Sequence, residues 1–92
     1  MAVLTVDVVA ADRKVWSGDA SLVSAPAADG EIGILAGHSP ILSALTAGTV
    51  RVSANNGVTH KFTVSGGFLS VDQDVVTVVV DEATVVSDHD AK

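Results

Sequence analysis

Cysteine and tyrosine are both missing from this 92-residue chain, and each absence removes a class of chemistry. Without cysteine there is no disulfide and no thiolate, a usage that fits a reducing compartment. With one tryptophan and two phenylalanines, aromatics reach only 3%, which leaves few stacking platforms for a sugar. Basic residues are equally scarce. Arg13, Lys14, Arg51, Lys61 and Lys92 stand against 11 acidic residues, giving a net charge of −6 and a pI near 4.6. They form no run, so the surface repels phosphate, which argues against nucleic acid and anionic lipid as partners. Apolar runs such as Val78-Val79-Val80 fall far short of the roughly 20 residues a membrane helix needs. No basic or Arg-rich leader precedes Leu4, so the chain is expected to begin in its fold.

What the chain does contain is aliphatic. Apolar residues make up 48%, dominated by valine, whose branched and stiff side chain suits a pleated, half-buried surface. A length of 92 residues allows one domain with one modest core. The expectation is an all-β sandwich of about eight to ten short strands over residues 1–86, followed by a polar, frayed tail over 87–92.

Alternation of apolar and polar residues locates the strands. Leu4-Thr5-Val6-Asp7-Val8 alternates cleanly, and a polar turn follows at Asp12-Arg13-Lys14. Gly18 interrupts the next run, after which Ala20, Leu22 and Ser24 are expected on one face, with Pro26 ending the strand or marking an edge. Ile32 and Ile34 flank Gly33 in a very short strand. Ser39-Pro40 reads as a helix cap followed by proline at the first helical position, and Ile41, Leu42 and Leu45 have helix-like spacing, so one short helical turn is expected over 39–45. Val50 and Val52 resume the alternation. Asn56-Gly57 is the strongest hairpin signal, and Gly66-Gly67 reads as a bulge or corner. Val75 to Val80 is apolar on nearly both faces, which suits either a sandwich interior or a surface covered by a partner.

The stretch GEIGILAGHSPIL, residues 30–42, is the most distinctive. Gly30, Gly33 and Gly37 punctuate a short apolar run that His38-Ser39-Pro40 closes, a spacing that describes a shaped surface loop suited to docking. Catalytic readings fare poorly. His38 and Ser39 are adjacent, without the strand–turn–helix elbow of a nucleophile. His38, His60 and His89 lack metal-ligand spacing, so no metal is expected. Glu31 is either an exposed charge or an interface residue. Asp72 with Asp74, and Asp81 with Glu82, sit in no calcium loop and read as solvated turns and strand ends. Asp7 and Asp19 are expected to point to water, and Trp16 to pack in the core. No phosphate cradle exists around Gly66-Gly67, because no GxxxxGK[ST] pattern or following helix is present.

GEIGILAGHSPILSAL followed by AGTVRV, then VSGGFLSVDQDVVTVVVDEA, together with the opening VDVVAADRKVWSGDASLV, resembles the ε subunit of the F-type ATP synthase over roughly residues 3–84. The resemblance implies a flattened sandwich of about ten strands. It also implies a non-catalytic rotor subunit at the foot of the central stalk, on the cytoplasmic face of the cell membrane, bacterial in origin. Its partners would be the γ subunit and the c-ring, whose proton-driven rotation it couples to ATP synthesis. Matched by position, Gly30, Glu31, Gly33, His38, Ser39 and Pro40 fall in the region that faces the c-ring. The family usually continues into a C-terminal helical hairpin that can restrain ATP hydrolysis and, in some members, binds ATP. The present chain ends about a dozen residues after Asp81, so neither ATP binding nor helix-borne inhibition is expected of it, and no cofactor. Two other classes compete with this reading: a free-standing β-sandwich binding module for protein or glycan, and a small hydrolase using His38 with Glu31.

Overall fold

The computed structural model describes residues 3–54 and 57–90, with no helix among them. Nine strands run in chain order: β1 (Leu4–Ala10), β2 (Arg13–Ala27), β3 (Gly30–Leu35), β4 (Ile41–Leu45), β5 (Gly48–Ala54), β6 (Val58–Val64), β7 (Gly67–Asp72), β8 (Val75–Val80) and β9 (Ala83–Asp90). β4, β7, β8, β1 and the first half of β2 form one layer. β3, the second half of β2, β5, β6 and β9 form the other. The β1–β8 pair is parallel, and the remaining pairs are antiparallel.

Valine alternation builds the core between these layers. Leu4, Val6 and Val8 of β1, Leu69 and Val71 of β7, and Val76, Val78 and Val80 of β8 face inward from one side. Val23, Ala25, Ile34, Val50, Val52, Phe62 and Val64 meet them from the other. No polar or charged residue is buried among the described residues. Each fully buried aliphatic side chain contributes about 1.5–3 kcal/mol, so this layer is the main stabilising contact. Trp16 is half-buried and packs at the margin of the core, its ring 4.8 Å from that of His60.

β2 belongs to both layers, and the change occurs at Ser21. Ala20 pairs with Leu4 of β1 and also with Ala54 of β5, whereas Leu22 pairs with Ser53, so one residue is extra. A one-residue bulge turns every later side chain to the opposite face. Ala20 is therefore buried, but Val23 and Ala25 follow it inward while Leu22 and Ser24 face outward. The expectation that Ala20, Leu22 and Ser24 share a face fails for this reason. At its far end β2 pairs with β4 through Ala27 and Leu45, with Thr46 N–H donating to the Pro26 carbonyl at 2.8 Å, and the layers are joined there as well.

The helical turn expected over 39–45 is a strand. Ile41 to Leu45 pair with Val71 to Gly67, and Leu45 points inward while Leu42 and Ala44 point out. Ile41 and Leu45 fit a period of two as well as a helical period. A helix this short cannot recover its nucleation cost, whereas the β7 ladder satisfies the backbone along the whole segment. β5 and β6 form the expected hairpin. Gly57 has φ of 86° and donates its N–H to the Ala54 carbonyl, while Asn55 and Asn56 lie outside the described residues. β9 extends to Asp90 opposite Val58, taking in residues 87–90 that composition alone assigns to a tail. Main-chain pairing does not require apolar side chains.

Gly67 opens β7 with φ of 151°, and a Cβ there would run into the Val79 carbonyl and the Val80 Cα of β8. Both obstacles are backbone, so neither can swing aside. Gly67→Ala is expected to cost about 3 kcal/mol or more, a fall in Tm on the order of 15 °C in a thermal melt.

Asp7 lies on the outward face of β1, as expected, and has partners there. It lies half-buried opposite Ser17, with the Lys14 ammonium 3.4 Å from its carboxylate. Hydrogen bonding to Ser17 holds its carboxyl below the ordinary carboxylate value; partial burial opposes this, and the charge of Lys14 adds to the lowering. A lowered folded pKa stabilises the fold above the unfolded value of 3.8, and that contribution is lost as pH falls through the folded value. Thermal melts of Asp7→Asn between neutral pH and pH 2 should therefore show a shallower acid-side loss of Tm than the parent chain.

Candidate functional site

The GEIGILAGHSPIL stretch is two strands and a connector. β3 takes Gly30 to Leu35, residues 36–40 turn, and β4 begins at Ile41. β3 pairs with β2 along one side and with no other strand among the described residues, so it is an edge strand. Gly30, Glu31, Gly33, Ser39 and Pro40 are exposed and His38 is half-buried, which suits contact with another molecule.

The six sequence-predicted residues form two groups. Glu31 stands at the start of β3, where the guanidinium of Arg51 reaches across β2 to within 3.3 Å of its carboxylate. His38, Ser39 and Pro40 lie beyond the other end of β3. Glu31 and Leu35 are four steps apart along β3, roughly 13 Å at strand rise. The hydrolase reading fails on this spacing, because an acid must lie within hydrogen-bond reach of its partner histidine. The His38 ring is also engaged elsewhere: Nδ1 lies 2.7 Å from the carbonyl oxygen of Ser39 and donates to it. Among the described residues no three His, Asp or Glu side chains converge as metal ligands.

The glycines have different duties. Gly37 has φ of 86°, a left-handed turn that closes with His38 N–H donating to the Leu35 carbonyl at 3.1 Å. Gly33 has ordinary extended backbone, and a Cβ there would meet only Leu22 Cδ1, at 4.0 Å. Nothing in folding requires glycine at position 33, and its lack of a side chain leaves the outer surface low.

A second surface is left open by the sequence, which allows the Val75–Val80 faces to be either core or partner-covered. Ala44 of β4 pairs with Phe68, Phe68 with Val79, and Val79 with Val9, so one outward row crosses four strands and is apolar throughout. Phe68 is 55% exposed and Val79 46%, with Leu42 beside them at 71%. Leu42, Phe68, Ser70, Thr77 and Val79 line an open depression of about 460 Å³. The apolar run Val75–Val80 thus has both of the fates its composition allows: Val76, Val78 and Val80 in the core, Val75 and Val79 on the surface. The signal was present in that doubled apolar face, but only the register of β8 assigns each residue to a side.

Residues 3–86 match the β-sandwich domain of the ATP synthase delta/epsilon chain family. The chain belongs to this family. It is 43% identical over 93 aligned residues to the ATP synthase epsilon chain of Rhodococcus jostii, covering all of this chain and 76% of that one. Against the epsilon chain of Micrococcus luteus it is 47% identical over 83 residues, covering 90% and 91% of the two chains. Among solved structures, a chain of the Euglena gracilis mitochondrial ATP synthase assembly of OSCP, F1 and c-ring superposes with a TM-score of 0.87 at 25% identity, over 92% of this chain and 54% of that one. A chain from the central stalk and c-ring of the Tetrahymena thermophila mitochondrial enzyme shares the fold, with a TM-score of 0.75 at 15% identity over 88% and 65% of the two chains. The epsilon-family sandwich expected from the sequence is the fold observed.

Proposed function

We propose that this chain is a non-catalytic rotor subunit of the F-type ATP synthase, coupling c-ring rotation to the γ subunit at the cytoplasmic face of the cell membrane. The observation that carries this reading is the outward apolar row Ala44–Phe68–Val79–Val9. Exposed apolar surface of this kind marks a protein contact, and a rigid sheet is suited to transmit torque because its outer residues are fixed by the core beneath. The row is assigned to γ. Glu31 and Gly33 on β3, with Gly30 beside them and His38, Ser39 and Pro40 at the far end, are assigned to the polar loops of the c-ring.

Reconstitution with γ and the c-ring tests both assignments. Phe68→Asp should abolish co-purification with γ, a loss of tenfold or more in affinity on the scale of a buried aromatic anchor, while Tm stays within about 5 °C. Gly33→Val should weaken c-ring attachment with Tm within about 4 °C, since valine favours a strand and nothing blocks its Cβ. Retention of γ by Phe68→Asp would remove the row from the interface. Failure of the parent chain to join either partner would refute the rotor reading.

A further inference from the structure

We infer that Asp74 is a positioning residue, a clamp from the β7–β8 turn that holds the Gly37–Pro40 connector in its docking shape. The inference rests on the docking role proposed above for His38, Ser39 and Pro40. Its evidence is separate and lies in the turn itself.

β7 and β8 are joined by Gln73 and Asp74, with φ of 48° and 63°. Two successive left-handed residues make a two-residue hairpin turn, and glycine is the favoured residue at its second position. Aspartate there accepts a conformational cost that glycine would avoid. Its side chain has an evident use: the Gly37 N–H donates to Asp74 Oδ1 at 2.7 Å, a contact between residues 37 positions apart. The Asp74 carbonyl meanwhile accepts the Thr5 N–H at 2.8 Å, which anchors the turn to the start of β1. One residue therefore links β1, the β7–β8 turn and the connector.

Among the described residues, the connector's other hydrogen bonds are internal, while its flanks Ala36 and Ile41 pack against the core. His38 N–H returns to Leu35, the His38 ring bonds to the Ser39 carbonyl, and Pro40 has its φ set by its ring. Those ties fix the connector's internal shape, and the packed flanks fix where it leaves and rejoins the sandwich. Among the described residues, the Asp74 carboxylate is the hydrogen-bond partner that reaches it from another element. Asparagine at 74 would keep both the acceptor oxygen and the tolerance for left-handed backbone. Glycine would relax the turn while removing the clamp.

The test compares Asp74→Asn with Asp74→Gly in the full chain. Three measurements are made: Tm, hydrogen exchange at the Gly37 amide by NMR, and attachment to purified c-ring in detergent in the presence of γ. In Asp74→Gly, exchange at Gly37 should rise roughly three- to tenfold and c-ring attachment should weaken by about threefold or more, with Tm unchanged or raised. Asp74→Asn should stay within about twofold of the parent in both exchange and attachment. A fall in attachment with no fall in Tm is a result that a merely structural role does not produce. Unchanged Gly37 exchange in Asp74→Gly would overturn the clamp. Faster exchange with full attachment would overturn its role in docking. Equal weakening by Asn and Gly would make Asp74 a direct charge contact and overturn positioning. Loss confined to these variants leaves the rotor reading standing, whereas a parent chain that fails to attach refutes that reading and, with it, the docking role of the clamp.

Discussion

Every feature of this molecule depends on β2 serving two sheets. A 15-residue strand cannot keep one face buried along its whole length when it passes from one layer to the other. The extra residue at Ser21 solves this by turning the inward parity from Ala20 to Val23. With that corner in place, the valines of β1 and β8 meet those of β5, together with Phe62 of β6, across a single layer containing no buried polar group among the described residues. The corner also leaves Leu22 on the outer surface, opposite Leu35 of β3 and beside Gly33.

The same parity governs the surfaces assigned to partners. Once Val76, Val78 and Val80 are committed inward, Val75 and Val79 must point outward, because alternation in a strand is strict. The register of β7 then places Phe68 beside Val79, and that of β4 places Ala44 beside Phe68. A continuous apolar row emerges from strands that are distant in sequence. The edge strand β3 offers a mixed chemistry: a Glu31 tied to Arg51 at one end, a glycine without steric need, and an exposed Leu35 at the other end. A subunit proposed to pass on rotation thus carries two distinct faces on one stiff frame.

Legibility followed the range of the interaction. The β class, the strands at Leu4–Val8 and Val50–Val52 and the turn near Gly57 could be read locally, because alternation and turn chemistry are short-range. The segment Ile41–Leu45 could not, since its apolar spacing suits a helix turn until β7 lies alongside it. Ala20, Leu22 and Ser24 were misassigned to one face because a bulge leaves no mark in composition. Glu31 and His38 sit on one distinctive stretch in sequence, yet a strand's length separates them in space. Arg51 carried no signal, and Asp74, read as a solvated turn residue, instead accepts from Gly37; their partners are 20 and 37 residues away.

The amino-acid sequence by itself determined that this chain is a valine-built β structure with an acidic surface, and its glycine and His-Ser-Pro motifs marked its family. Those properties reside in composition, alternation and local turns. Tertiary structure alone decided which valines are core and which are surface, and which acidic residues hold neighbouring segments in place. Both depend on register between strands far apart in the chain, and register is settled by the joint burial of the two layers rather than by any one segment.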